Sequence, residues 1–269
     1  MRIIDYDHIE EWGPWIGQII SRIVPKQDIE TLRNSKPTYT DDPGNFLCRK
    51  IGFQAVIDHL VSELKPYSVR VYHGTRVSAA VASSIRTNGL EPLILQNRKR
   101  ELENIFRQHP KWPDVQSEFE LALRDFGPRE AAGRREDGYV HTCFSRNGLL
   151  HVCNHYLTHG AEVDSHIAAR LFGDQFAIEL LRSNRQALLI SFLSTFEEAN
   201  LGANPHGLPT DSLSSLPGIL IRDWAYSQTD PSFTTLSQEE DAAARIRGPI
   251  PSARIEKFEE ISDTELGFF

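Results

Sequence analysis

The sequence has few cysteines, no long apolar run and no excess of basic residues, and each absence argues against a class of protein. The three cysteines, Cys48, Cys143 and Cys153, form no CxxC pair, which argues against a disulfide framework or a zinc ribbon and favours a reducing compartment. Apolar stretches such as Ala187–Leu193 are far shorter than the roughly 20 residues that span a bilayer, so no membrane partner is expected. The net charge of −8 is unlike that of a strongly basic nucleic-acid binder, although it does not exclude a local basic patch.

The first residues are acidic where a signal peptide would be basic. The segment MRIIDYDHIEEWG has no basic region followed by an apolar run, so we expect a cytoplasmic protein. The chain has 269 residues, 40 % hydrophobic and 25 % charged, which is enough for one large domain or for one domain with a helical subdomain.

Apolar spacing divides the chain near residue 65. Residues 9–24 and 53–64 each carry an apolar stripe at helical spacing, and residues 28–52 are expected to be an irregular connection rich in turn residues. Beyond Pro66, strands are predicted at 68–73, 139–144, 187–193, 218–221, 242–247 and 254–258. The sequence therefore predicts an N-terminal helical segment (1–65) and an α+β domain (66–269), with a charged helical insertion at about 96–135.

A histidine stands near the end of the first long predicted strand, in the segment Val69-Arg-Val-Tyr-His-Gly-Thr75. The His73 imidazole can form a hydrogen bond, Gly74 lets a flat ligand approach the backbone, and Thr75 adds a hydroxyl. The spacing by itself favours a core-facing histidine before an ordinary turn. A short predicted helix and Gly89 follow, the glycine being typical of a helix end.

Two further segments carry chemistry. In Gly138-Tyr-Val-His-Thr-Cys-Phe-Ser145, the terminal serine, together with Tyr156 on the following predicted helix, could hydrogen-bond a carboxamide and stack on a ring. Taken alone, Ser145 is typical of a helix N-cap.

The segment Gln238-Glu-Glu-Asp241 precedes a predicted strand. Most acidic runs are solvated, but a carboxylate at a strand edge can stabilise positive charge developing on a sugar.

Taken in order, these segments resemble the ADP-ribosyltransferase superfamily. The matching features are His73-Gly74-Thr75, Gly89-Leu90, Phe144-Ser145 with Tyr156 downstream, the acidic run, and the IP-x-x-x-I ending of Ile250, Pro251 and Ile255. The histidine form is similar to the His–Tyr–Glu branch, which includes poly(ADP-ribose) polymerases and diphtheria-toxin-like enzymes. The resemblance covers residues 67–260 apart from the insertion, and it implies a split β-sheet core.

The resemblance implies an NAD site, with NAD as co-substrate. The implied NAD-binding residues are His73 on the adenosine-side ribose, Gly74 on the nicotinamide carboxamide through its backbone, Thr75 on the adenosine side, Phe144 and Ser145 beside the nicotinamide, and Tyr156 stacked on it. One departure concerns Cys143, which stands where poly(ADP-ribose) polymerases have the first tyrosine of a Tyr-Phe pair.

The implied catalytic residues are His73 and Glu240. Glu240 would hold the nicotinamide-ribose 2′-hydroxyl and stabilise an oxocarbenium ion, and Glu239 is the alternative because one sequence does not settle the register. The implied activity is mono-ADP-ribosyl transfer to a macromolecular acceptor, protein or RNA/DNA. No accessory domain for polymer growth is present in this sequence, and no metal is implied. A bacterial toxin or defence effector with an antitoxin or regulatory partner is the role such enzymes suggest. An RNA 2′-phosphotransferase, an NADase and a catalytically degenerate binding module are the alternatives.

Histidines recur in the region beyond Ser145. His151, His155 and His159 would share one face of a single helix, with Cys153 and Glu162 nearby. This spacing occurs in metal sites, but a solvated or substrate-facing stripe is the commoner case.

Aromatic residues interleave with basic ones in the insertion. Trp112, Phe119 and Phe126 could stack on nucleic-acid bases, or the insertion could be a solvated helical pair, which its many acidic residues favour. Similarly, Trp224 and Tyr226 could recognise an acceptor or simply pack.

Overall fold

A computed structural model describes residues 2–127, 138–183, 185–203, 213, 215–237 and 242–266. Helices and strands are both abundant in these residues, so the predicted α+β class is confirmed.

The strands of the described residues form one six-stranded sheet. They are β1 (Ile3–Ile4), β2 (Ser68–Val77), β3 (Tyr139–Cys143), β4 (Gln186–Thr195), β5 (Ala243–Arg247) and β6 (Ile255–Ile261). Their order is β5-β3-β2-β4-β6, and β1 pairs with β2. The β1–β2 pair is parallel, whereas β4 and β6 are antiparallel, with a register shift between Ser191 and Phe192.

Helices surround these strands in sequence. They are α1 (Ile9–Ile20), α2 (Lys26–Arg33), α3 (Asp41–Ile51), α4 (Phe53–Leu64), α5 (Ala79–Asn88), α6 (Leu95–Phe106), α7 (Trp112–Val115), α8 (Phe119–Phe126), α9 (Arg146–His151), α10 (His155–His159), α11 (Glu162–Leu171), α12 (Gln175–Arg182), α13 (Phe196–Gly202) and α14 (Leu216–Ser227).

The chain divides into two compact units. The first consists of Met1–Val71, Cys143–Gly148 and Leu193–Arg245, and the second of Tyr72–Thr142, Leu149–Phe192 and Ile246–Phe269. The domain boundary expected near residue 65 stays a prediction.

The first unit corrects the prediction for residues 28–52, which was wrong. This segment is helical in α2 and α3 rather than irregular. Pro43 lies in the first turn of α3, where a backbone N–H has no intrahelical partner to lose, so the proline does not interrupt the helix. A Cβ on Gly44 would lie 3.1 Å from the Cα of Arg222, so the glycine permits close packing of α3 on α14.

Residues 218–221 are also helical, which makes the predicted strand wrong. The Ser215 hydroxyl accepts from Gly218 N at 3.3 Å and caps α14, and every residue of Leu216–Ala225 is buried. An apolar run buried all round has no helical periodicity to distinguish it from a strand. Trp224 is buried with its indole 3.1 Å from the position of a Cβ on Gly17, so it packs rather than recognising an acceptor. Tyr226 is half-buried, with its ring 5.0 Å from that of Phe233.

In the second unit, the insertion folds as helices around an apolar core. The members are Leu102, Phe106, Trp112, Phe119, Ala122 and Leu123, packed with residues of α11 and α12. Trp112 and Phe119 are buried, so their proposed role as base-stacking surfaces is wrong. Lys99, Arg107 and Lys111 pair with Glu120, Glu103 and Asp174, so the charged residues of the insertion form ion pairs, but its apolar faces pack on α11 and α12 instead of forming a separate solvated pair.

Two motif segments meet in the second unit. Leu90 N donates to Ile250 O at 2.9 Å, and Ile250 N donates to Leu90 O at 2.8 Å. Gly89, which precedes this bridge, has φ +94° and lies so close to the second segment that a Cβ would be 2.0 Å from the Ile250 carbonyl oxygen. Only glycine fits this position, because both the backbone angle and the space exclude a side chain.

We expect Gly89→Ala to lower the free energy of unfolding by about 3 kcal/mol or more, because it adds a clash to backbone strain. Gly52→Ala is the matched control, since Gly52 has φ +101° but nothing within 4 Å of a Cβ, so it carries the strain alone. Urea unfolding of both variants measures the difference. Equal losses in the two variants would show that the contact with Ile250 is unimportant.

Candidate functional site

A cavity of about 400 Å³ lies within the second unit. It is lined by residues of β2, α5, α6, β3 and α10, and its apolar wall includes Val81 and Ile85. The cavity is lined by the consecutive residues His73, Gly74 and Thr75 together with Tyr156, which comes from a distant part of the sequence. The structure therefore brings together four of the six residues that the resemblance assigns to NAD.

The hydrogen bond of His73 determines which nitrogen can serve a ligand. His73 Nδ1 lies 2.8 Å from the carbonyl oxygen of His141 on the neighbouring strand. A carbonyl can only accept, so Nδ1 carries the hydrogen and Nε2 of the neutral ring has a lone pair. Burial lowers the pKa of His73, and the His141 carbonyl partly opposes this effect. The ring is therefore neutral near pH 7, and Nε2 is suited to accept from a hydroxyl group rather than donate to it.

The pKa direction predicts a pH dependence of stability. Below pH 6.5, the ordinary value for histidine, the unfolded chain binds a proton that the folded His73 does not, so His73 lowers stability as the pH falls until its own pKa is reached. We expect His73→Gln to lose less stability than the wild type between pH 7 and pH 5. Urea unfolding across that range tests this. The pKa of His159 is also lowered, but it contributes equally to both proteins and cancels. Parallel pH profiles would contradict the prediction.

Gly74 and Tyr156 have different surroundings. A Cβ on Gly74 would lie 3.1 Å from Leu149 Cδ2 and 3.4 Å from Leu157 Cγ, so its missing side chain lets two helical segments pack on β2. Contrary to the expected turn at Gly74-Thr75, β2 continues to Val77. The Tyr156 ring is half-buried and lies 4.1 Å from that of His155.

Phe144 and Ser145 belong to the first unit and do not line this cavity. Phe144 is fully buried. Ser145 Oγ donates to Asp7 Oδ1 at 2.7 Å and accepts from Gly148 N at 2.8 Å. Ser145 thus has the contacts of a helix N-cap, the simpler of its two interpretations, and its role beside nicotinamide stays a prediction.

The two candidate catalytic acids, Glu239 and Glu240, lie outside the described residues. Their assignment therefore stays a prediction. Ala242, which immediately follows the acidic run, is buried and accepts from Phe144 N through its carbonyl at 3.0 Å.

Sequence reasoning missed a buried ion network at the cavity wall. Arg98 and Glu101 line the cavity from α6 and are paired with each other. Arg98 Nε donates to Asp164 Oδ1 at 2.6 Å, and Arg185 Nη2 donates to Glu101 Oε1 at 3.0 Å. Asp164 is fully buried, and Arg185 Nη1 lies 3.6 Å from its Oδ2.

The network balances two guanidinium groups with two carboxylates. Burial lowers the pKa of Arg185, and the charge and hydrogen bond of Glu101 oppose that effect. Its members come from α6, α11 and the segment before β4, so the network fixes the wall of the cavity to the core of the unit. The spacing of Arg98 and Glu101 on one helix was the only local signal, because Asp164 and Arg185 are brought to them by the fold.

The three histidines of the predicted stripe do not share one helix. His151 ends α9, and His155 and His159 lie on α10 after a break at 152–154. His155 Nε2 is 3.4 Å from Glu162 Oε1. In the described residues, no group of three or more His, Cys, Asp or Glu side chains is arranged to hold a metal ion.

Compared with models of known protein families, with curated proteins and with solved structures, the chain matches none. None of the helices in the described part of the chain has the length and apolar character needed to cross a membrane.

Proposed function

We propose that this chain is an NAD-dependent mono-ADP-ribosyltransferase with the fold of that superfamily, acting on a protein or nucleic-acid acceptor. The observation that carries the proposal is that one cavity is lined by His73, Gly74, Thr75 and Tyr156. Before the structure, only the motif resemblance connected these residues with one another. The contact between Gly89-Leu90 and the Ile250 segment supports it further, because two more segments of the motif set meet in the same unit.

The cavity has the volume of a ligand site and polar groups suited to NAD. Its volume of about 400 Å³ lies within the range of ligand sites, and apolar side chains form much of its wall. Nε2 of the neutral His73 ring can accept from a ribose hydroxyl, Thr75 adds a hydroxyl, and the Tyr156 ring can cover a flat ring. The paired charges of Arg98 and Glu101 keep α6 in place beside the ligand.

In the proposed reaction, the bond between the nicotinamide nitrogen and ribose C1 breaks, and nicotinamide leaves with the electron pair. A nucleophile of the acceptor forms the new bond to C1 and loses its proton. The residues of this chain hold the ribose and the nicotinamide in a fixed orientation, which lowers the entropic part of the barrier. Glu240 would supply the negative charge that favours the positively charged transition state.

The test is to incubate the protein with NAD and cell lysate and to measure released nicotinamide. With labelled NAD, we expect label on a macromolecule, and its removal by protease or by nuclease identifies the acceptor class. Nicotinamide release without label on any macromolecule would indicate an NADase. NAD consumption that requires 2′-phosphorylated RNA would indicate the phosphotransferase. Absence of both release and NAD binding would contradict the proposal.

A further inference from the structure

A second cavity, of about 430 Å³, lies within the first unit and is unrelated to the motifs above. Its lining includes two guanidinium groups, Arg2 and Arg22, and two aromatic rings, Trp15 and Tyr67. Its volume falls in the range of roughly 300–1,000 Å³ that is usual for ligand sites. Cationic and aromatic groups in one cavity suit a ligand that is both flat and anionic.

Arg2 is held in position by the two rings. Its Cζ lies 5.5 Å from the centroid of Trp15 and 5.6 Å from that of Tyr67, and Nη1 donates to the Tyr67 hydroxyl at 2.6 Å. Among the described residues, this hydroxyl is the only side-chain acceptor of the Arg2 guanidinium, so other N–H groups can serve a ligand. A guanidinium with a fixed plane loses little freedom when it binds a phosphate.

Arg22 is the second cation of the cavity. Its Nη1 lies 2.6 Å from Glu63 Oε2, and the side chains are 59 % and 35 % exposed, respectively. An exposed ion pair contributes little free energy, so Arg22 can turn to an incoming phosphate at small cost. The two arginines and Glu63 leave a net positive charge, in a chain whose net charge is −8.

The aromatic side chains here are accessible, unlike Trp112 and Phe119 of the insertion. Trp15 and Tyr67 are half-buried, with ring centroids 5.6 Å apart and planes tilted by 57°, whereas Trp112 and Phe119 are core residues. Half-exposed rings beside guanidinium groups are the combination that binds single nucleotides and single strands, through stacking and phosphate contacts.

We propose that this cavity binds a nucleotide unit, with its base against Trp15 and Tyr67 and its phosphate at Arg2 and Arg22. The ligand is a free mononucleotide or one unit of a single-stranded nucleic acid, which share this chemistry. The site does not depend on the proposed transferase activity, and a uridine probe avoids the adenine and nicotinamide rings of NAD.

The test measures binding of uridine monophosphate and of octauridylate to the full chain, by calorimetry and by fluorescence anisotropy. We expect binding of at least one probe, weakened about tenfold or more by Arg2→Ala with Arg22→Ala and by Trp15→Leu. Loss of each arginine is expected to flatten the salt dependence of octauridylate binding by about one unit of slope. Arg49→Ala, at an exposed arginine of α3 outside the cavity, is the matched control and should change nothing.

The two probes distinguish the source of the nucleotide. Tighter binding of octauridylate indicates a single strand, and equal binding indicates a free nucleotide; both support the proposal. Thermal melting checks that each variant folds. If the variant with Arg2→Ala does not fold, Arg2→Lys replaces it, because lysine keeps the positive charge but lacks the planar guanidinium group. The proposal is overturned if neither probe binds at millimolar concentration, or if the cavity variants bind the probes as tightly as the wild type does. It is also overturned if inorganic phosphate competes with an affinity equal to that of the nucleotide probe.

Discussion

Asp164→Asn is expected to lower the free energy of unfolding by about 3–5 kcal/mol, which corresponds to a fall of roughly 10 °C in melting temperature. The substitution keeps the shape of the side chain and removes only its charge. Asp164 is fully buried and accepts from Arg98 Nε at 2.6 Å, so its loss leaves two buried guanidinium groups with one carboxylate between them. A buried charge without a partner costs far more than a surface ion pair contributes.

Asp125→Asn is the matched control for this experiment. Asp125 Oδ2 also accepts from an arginine, Arg170 Nη1 at 2.7 Å, but its side chain is 37 % exposed. We expect this variant to lose about 1 kcal/mol or less. Adding Arg98→Met to Asp164→Asn should restore part of the lost stability, because it removes an uncompensated charge. Thermal and urea unfolding measure the loss of stability in each variant. If Asp164→Asn loses no more unfolding free energy than Asp125→Asn, the buried ion network is unimportant for stability.

Glu240→Gln is expected to slow nicotinamide release from NAD by about 100- to 1,000-fold, the cost of removing one well-placed group that stabilises transition-state charge. The amide has the same shape as the carboxylate but cannot offset positive charge on the ribose. This expectation rests on the proposed activity, since Glu240 lies outside the described residues. On the same proposal, His73→Ala is expected to act mainly on KM, because His73 would hold the adenosine-side ribose, away from the bond that breaks.

Glu239→Gln is the matched control, because the two glutamates are adjacent and alike. Steady-state rates of nicotinamide release for the two variants decide the register, and we expect the slow variant to be Glu240→Gln. If the neighbour is the slow one, the catalytic acid is Glu239. If both variants turn over NAD normally, the glutamate assignment is wrong, and the proposed NAD site is then tested separately by NAD binding to the cavity variants.

Elements with clear local periodicity could be predicted from the sequence. The helix expected at 53–64 has those bounds in the structure, and the strand expected at 139–144 is β3. An apolar stripe or an alternating run reports one buried face, whatever that face packs against. By contrast, residues 216–225 are buried on all sides, so their pattern carried no period, and they form a helix rather than the expected strand.

The candidate site shows the same division. The sequence by itself determined the α+β class, because strand and helix periodicity are local properties of the chain. It singled out His73, Gly74, Thr75 and Tyr156 only through the resemblance of its ordered motifs to a known family. Only the tertiary structure decided that these four residues share a cavity, that Trp112 and Phe119 are core residues, and that Asp164 and Arg185 complete an ion network at the cavity wall. Those facts depend on which distant segments pack together, and that choice is made by the burial of the whole chain and not by any one segment.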